Sequence, residues 1–117
     1  MRRVAVYRDG NMMAAQIGPD WVQGIAGFGH TVAHALRNLA CSFAEHRYEL
    51  RGNSVGIDVA GKFIKVHANP GQSPPDLLIT LAGMIEEGGY QESDFPEPNW
   101  KWLANEERVT SQRAQMN

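Results

Sequence analysis

The segment that most constrains the fold of this chain is a glycine-rich corner between a short apolar stretch and an amphipathic stretch. A Pro19-Asp20 turn leads to apolar residues from Gly24 to Gly27, and the corner Gly29-His30-Thr31 follows. From Val32 to His46, apolar residues recur at positions 32, 35, 36, 39, 40 and 43, which is helical spacing. Glycine permits tight bends and threonine is a favoured N-cap, so the pattern predicts a strand, a sharp corner and a helix capped by Thr31.

The same residues match a phosphate-binding loop in all but one position. Gly24-x4-Gly29-His30-Thr31 has the Walker A form G-x-x-x-x-G-K-[ST], except that His30 replaces the lysine. A neutral imidazole on a shorter stem does not replace the ammonium that reaches the β- and γ-phosphates. A nucleotide-binding enzyme using Gly24 to Thr31 is therefore the second alternative, and we expect no cofactor otherwise.

The first half of the chain predicts three strands before the helix. Val4 to Tyr7 is rich in strand formers, Asp9-Gly10 is a hairpin turn signal, and Met12 to Ile17 is the returning strand. The apolar residues Gly24 to Gly27 form a third strand. The order of this unit is therefore β-β-β-α.

The second half predicts two strands and a helix. Apolar side chains alternate from Val55 to Val59, Gly61-Lys62 can turn, and a strand runs from Phe63 to His67. Ser73-Pro74-Pro75-Asp76 has an N-cap serine, proline at the first helical position and an acid three residues after the cap, and Gly88-Gly89 ends the helix.

These signals predict an α+β fold in which an antiparallel sheet packs on helices. We expect one domain, made of a β-β-β-α unit at 1–50 and a β-β-α unit at 51–90, with a proline-rich, aromatic and then polar extension at 91–117. Several short strands leave open sheet edges, which are usually paired or covered, so we also expect a homodimer.

Residues 1–47 resemble the core of HicB-type antitoxins. The resemblance lies in the N-terminal hairpin, Pro19-Asp20 before a short strand, Gly29-His30-Thr31 and the helix containing Ala35-Leu36. It implies a partial double-stranded-RNA-binding fold, with a three-stranded antiparallel sheet on one helix. Members of that family bind and block a small toxin RNase, usually as oligomers. Ala33 and His34 stand where the family usually carries acidic residues.

Composition restricts the class of protein. A net charge of −2 argues against direct nucleic-acid binding. No apolar run reaches the length of a membrane span. The single Cys41 excludes an internal disulfide and fits a reducing cytoplasm, which is the location that we expect. Cys41 lies beside Ala40 on the helix, and we expect a semi-buried side chain.

Residues for chemistry are sparse. The four histidines, at positions 30, 34, 46 and 67, lack the nearby glutamate or cysteine of a metal-binding motif. Asp9 and Asp20 are explained by turn chemistry, and nothing pairs either with a second acid. We therefore predict a protein that is not an enzyme and holds no metal.

Acidic and aromatic residues near the C-terminus predict a surface for a partner. Five carboxylates lie between positions 86 and 97 with no base among them. Charge speeds encounter with a basic partner, and aromatic side chains anchor interfaces. Alternatively, the C-terminal aromatics fold back over the sheet as a lid. The predicted partner-binding residues are Trp21, Phe28, Glu92, Asp94, Phe95, Glu97, Trp100 and Trp102.

The function predicted from these observations is that of a non-enzymatic protein-binding module, antitoxin-like or regulatory, that binds and blocks a basic partner protein such as a toxin RNase. The alternative is a small phage or mobile-element inhibitor of a host defence complex, similar in role to an anti-CRISPR protein.

Overall fold

The computed structural model describes residues 2–18, 24–46 and 54–97. Within these ranges the chain forms five strands and two helices in the predicted order. They are β1 (Arg2–Asp9), β2 (Met12–Ile17), β3 (Ile25–Gly29), α1 (Val32–His46), β4 (Ser54–Val59), β5 (Lys62–His67) and α2 (Pro74–Gly88), followed by a single 3-10 turn (Glu92–Asp94). The chain is therefore a small α+β protein, as the sequence predicted. Trp21, Trp100 and Trp102 lie outside the described residues.

The sheet is mixed, which corrects the prediction of an antiparallel sheet. Its strand order is β3-β2-β1-β4-β5, and β4 runs parallel to β1, from Arg2 opposite Val55 to Val4 opposite Ile57. The other three pairings are antiparallel. The reason is the helical crossover: β3 has the direction of β1, α1 returns the chain, and β4 starts again at the same end.

Both helices pack against each other and against one face of the sheet. α1 lies on β2 and β3, and α2 contacts β4 and β5. The predicted apolar stripe of α1 is confirmed, since all six of its residues are buried in the core. The sheet contributes alternate residues of β1, β2 and β4 to the same core: Val4, Val6, Met13, Ala15, Ile17, Val55, Ile57 and Val59.

The glycines of β3 have a packing role that the sequence analysis did not foresee. A Cβ on Gly27 would lie 2.1 Å from the backbone nitrogen of Leu39 and 2.6 Å from the carbonyl oxygen of Ala35. A Cβ on Gly29 would lie 2.8 Å from the backbone nitrogen of Ala35. The glycines therefore let the backbone of α1 lie directly against β3.

The ends of α2 follow the predicted signals. The carboxylate of Asp76 accepts hydrogen bonds from the backbone N–H and the hydroxyl of Ser73, both at 2.9 Å. These bonds lower the pKa of Asp76, the backbone bond having the larger effect. Gly89 ends the helix in the left-handed conformation, at φ 64°.

Two local predictions need correction. The turn between β4 and β5 is Ala60-Gly61, with φ of 52° and 77°, and Lys62 already belongs to β5. Cys41 is exposed on α1 instead of semi-buried, because its side chain lies outside the buried stripe, which includes Ala40 and Phe43.

Candidate protein-binding site

The acidic segment after α2 is fixed at the end of the sheet where β1, β3 and β4 terminate. The carboxylate of Asp94 accepts the backbone N–H of Gln91 at 2.7 Å, which closes the 3-10 turn. The carbonyl oxygen of Asp94 accepts the N–H of Ala60 at 2.7 Å, which ties the turn to the β4–β5 hairpin. The segment therefore has a defined position.

An arginine–glutamate fork attaches the same segment to the β1–β2 hairpin. Arg8 donates to Glu92 through Nε at 2.6 Å and through Nη2 at 2.5 Å, across 84 positions of sequence. The hydrogen bond from Arg8 is the main cause that lowers the pKa of Glu92. The fixed geometry of a bidentate pair orients the segment, although an exposed pair contributes little to stability.

A second ion pair joins the two helices beside this segment. Arg37 of α1 donates to the carboxylate of Glu86 of α2, and this hydrogen bond lowers the pKa of Glu86. Glu86 and Glu92 therefore both have arginine partners. The five carboxylates that the sequence showed without an intervening base are partly compensated by bases from distant positions.

A cavity of about 590 Å³ lies between the β1–β2 hairpin and the segment 91–97. Val6 and Met13 are almost fully buried at its wall, with 6% and 4% of their surface exposed. Phe95 and Pro96 line the side formed by the segment. Arg8, Glu92 and Glu97 supply charge to the same cavity. The cavity therefore combines apolar walls with two carboxylates and one guanidinium.

A smaller cavity of about 300 Å³ adjoins the first one. It lies between the start of α1, at residues 30–33, and the end of α2, at residues 85–92. Met13, Gln91 and Glu92 line both cavities. We name the two cavities together the trough.

The free negative charge near the trough comes from residues without an arginine partner. Glu97 is exposed, lines the larger cavity and has no cation partner among the described residues. Glu87 is also exposed and also lacks such a partner, but it borders neither cavity. The two carboxylates differ mainly in their position relative to the trough.

The predicted partner-binding residues divide into two groups. Glu92, Asp94, Phe95 and Glu97 come together on the 91–97 segment, where half-buried Phe95 packs against the core. Phe28 lies elsewhere, because Gly27 faces α1 and its neighbour on β3 therefore points to the opposite face of the sheet.

The hairpin side of the trough was not predicted from the sequence. Val6, Arg8 and Met13 belong to β1 and β2 and lie at least 78 positions before residue 91, where the segment 91–97 begins. The only local signal was Arg8, a base at the end of an apolar strand, and nothing in the sequence relates it to Glu92.

Residues Gly24 to Thr31 do not have the geometry of a phosphate-binding loop. Ile25 to Gly29 form an extended strand paired with β2 over its whole length. The hydroxyl of Thr31 accepts the backbone N–H of His34 at 3.1 Å, which is the predicted N-cap. Backbone N–H groups of an extended strand point alternately to its two sides, so they do not converge on one anion as those of a phosphate loop do.

Within the described ranges, no three histidine, cysteine or acidic side chains are grouped so that they could hold a metal ion. No helix among these residues has the length and apolar character needed to cross a membrane.

Comparisons with known proteins give no relative for this chain: no protein-family model, no curated protein and no solved structure matches it. The resemblance of residues 1–47 to the HicB core therefore stays a prediction.

Proposed function

We propose that this protein is a non-catalytic binding module that captures and blocks a basic partner protein through the trough. The supporting observation is the cavity of about 590 Å³ with apolar walls and the free carboxylate of Glu97. Interface anchors are large side chains that fill preformed pockets, and complementary charge beside them speeds encounter.

The chemistry of the trough specifies what the partner presents. An apolar or aromatic side chain fits against half-buried Phe95 and exposed Pro96, with the nearly buried Val6 and Met13 at the wall behind it. A lysine or arginine next to that side chain meets Glu97. The Arg8–Glu92 fork lines the same cavity and offers a fixed acceptor and donor pair.

The trough is suited to binding without a large rearrangement. Three contacts hold residues 86–94, which form the C-terminal side of the trough. They are the Arg8–Glu92 fork to β1, the hydrogen bond from the N–H of Ala60 to Asp94, and the Arg37–Glu86 pair to α1. Preorganised surfaces avoid part of the entropy that binding otherwise costs. Such a surface would suit either of the two predicted roles, an antitoxin-like module or an inhibitor of a defence complex, against a basic target.

The test uses two charge reversals with the same effect on net charge. Glu97→Lys reverses the carboxylate in the trough, and Glu87→Lys reverses one on α2 that borders neither cavity. Wild-type and variant proteins are used as bait in a lysate of the native host, and each captured protein is then purified and its association measured at several salt concentrations.

We expect a basic protein that the wild type and Glu87→Lys retain and Glu97→Lys loses. The reversal replaces attraction by like-charge repulsion, so the association rate should fall by about tenfold or more at low salt. Equal binding by the two variants would contradict the proposal. Nucleotide binding by the purified wild type, abolished by Thr31→Ala with no change in melting temperature, would favour the enzyme alternative instead.

A further inference from the structure

The outward backbone edge of β5 pairs with no strand among residues 2–18, 24–46 and 54–97, and the residues that form it can be assigned. The β4–β5 loop has two residues, Ala60 and Gly61, both with positive φ, as in a type I′ turn. In such a turn the C=O of Val59 accepts the N–H of Lys62. Because the direction of backbone groups alternates, Lys62, Ile64 and Val66 face β4, and Phe63, Lys65 and His67 face outward.

The side chains of this edge are only partly covered. No strand lies beyond β5 in the part of the chain that the structure describes. Phe63 is 37% exposed, and Ile64 and Val66 are half-buried against the core. Edge strands are commonly protected by lysine, but Lys62 points back to its own chain, with its ammonium 5.5 Å from the ring centroid of Tyr90. Lys65 is the remaining cation in the strand.

The sequence of β5 is complementary to itself in one register. We propose that two copies of this protein pair through β5 in an antiparallel manner, centred on Ile64, to form a continuous ten-stranded sheet. In an antiparallel pair, the side chains of directly opposite residues project from the same face of the sheet. Ile64 of one copy can therefore lie opposite Ile64 of the other copy, but not opposite its Lys65, whose side chain is on the other face.

Centring on Ile64 places Phe63 of each copy opposite Lys65 of the other. The outward N–H and C=O groups of Phe63 and Lys65 then exchange hydrogen bonds across the interface. The ring of Phe63 is turned toward β4, where it lies over Gly56 and has the guanidinium of Arg3 4.7 Å from its centroid. On the helix face, Ile64 meets Ile64 and adds apolar contact.

Neighbouring registers are worse. Centring on Lys65 sets two ammonium groups directly opposite, which destabilises a sheet. Centring on Phe63 requires Gly61, a turn residue at φ 77°, to act as a strand residue. Centring on Val66 places Phe63 opposite Asn69, beyond the end of β5.

The first experiment uses the unmodified full-length protein. Its mass is measured by sedimentation or light scattering, and amide exchange is followed at about 10 µM and about 500 µM, a range suited to a moderate self-affinity. We expect a dimer at the higher concentration, with the amides of Phe63 and Lys65 protected at least about tenfold more than at the lower one. The amides of Lys62 and Ile64 are the internal control, because β4 protects them at both concentrations.

The second experiment tests the register by cross-linking. In a Cys41→Ser background, Ile64→Cys places two cysteines opposite each other in a non-hydrogen-bonded pair, where Cα atoms are about 4.5 Å apart and a disulfide can form. Lys65→Cys is the matched control, since its two copies would be about 8 Å apart, too far for a disulfide.

A covalent dimer from Ile64→Cys and none from Lys65→Cys is the expected result. A monomer at about 500 µM would overturn the proposal. A dimer whose Phe63 and Lys65 amides gain no protection, or one in which Lys65→Cys cross-links as fast as Ile64→Cys, would show that the chain associates through another surface or register.

Discussion

Gly27→Ala is the substitution that most directly tests the packing of α1 on β3. The added Cβ would lie 2.1 Å from the backbone nitrogen of Leu39 and 2.6 Å from both the Cα of Leu39 and the carbonyl oxygen of Ala35. All three atoms belong to the helix backbone, so no side-chain rotation relieves the clash. α1 has to move away by about 1.3 Å, the difference between 2.1 Å and the 3.4 Å at which ordinary contact begins.

This displacement reaches the core, because Ala35, Leu36 and Leu39 are fully buried beneath the helix. A gap of 0.5–1 Å already forfeits about a quarter to a half of a dispersion contact. We therefore expect a loss of about 3 kcal/mol in the free energy of unfolding, at the upper end of the usual range for overpacking. For a domain of this size, that corresponds to a melting temperature lowered by about 12 °C.

Gly83→Ala is the matched control, since Gly83 lies within α2 and a Cβ there would meet nothing within 4 Å. Alanine should stabilise the helix by about 0.5–1 kcal/mol relative to glycine. Both variants are compared with the wild type by urea titration and thermal melting, followed by circular dichroism. If Gly27→Ala melts within about 3 °C of the wild type, the close approach of α1 and β3 is refuted.

Two further predictions concern local contacts. Thr31→Ala removes the acceptor of the His34 N–H. It should lower the free energy of unfolding, measured by urea titration, by about 1 kcal/mol and leave partner capture unchanged. A stability equal to that of the wild type would refute the cap. The pKa of Glu92 is lowered in the folded protein by Arg8, so the stabilisation from this pair is present above the ordinary value of 4.5 and is lost as the pH falls through the lowered value. In Arg8→Gln, the melting temperature should therefore fall less than in the wild type as the pH is lowered over that acidic range. If the melting temperatures of the two proteins fall in parallel with pH, this prediction is contradicted.

Local signals predicted the elements of this fold because each depends on residues close in sequence. The apolar spacing of 32–43 gave α1 with its observed bounds, and the Ser73-to-Asp76 cap and Gly89 gave both ends of α2. The choice of strand partner is not local. The parallel pairing of β1 with β4 follows from the direction in which α1 returns the chain, which no pattern within either strand records.

The glycine-rich corner shows how a residue can be noticed and its role still missed. From the sequence, its glycines were interpreted as part of a short strand and a tight bend, or as a phosphate loop. Gly27 does lie in the predicted third strand, which continues to Gly29, but the absence of its side chain is required by a helix that starts five positions later. Likewise, the five carboxylates between positions 86 and 97 were interpreted as uncompensated charge. Their cation partners are distant in sequence, since Arg8 lies 84 positions from Glu92 and Arg37 lies 49 positions from Glu86.

The position of the trough has a consequence for the pairing of two copies through β5. The trough lies at the end of the sheet where the Ala60-Gly61 turn lies, since Ala60 donates to Asp94 in its wall. Antiparallel pairing of β5 with its copy directs the two turns, and hence the two troughs, toward opposite ends of the ten-stranded sheet. One small partner cannot fill both troughs, so a dimer would bind two partner molecules that do not contact each other, and pairing would raise avidity only for targets that are themselves repeated.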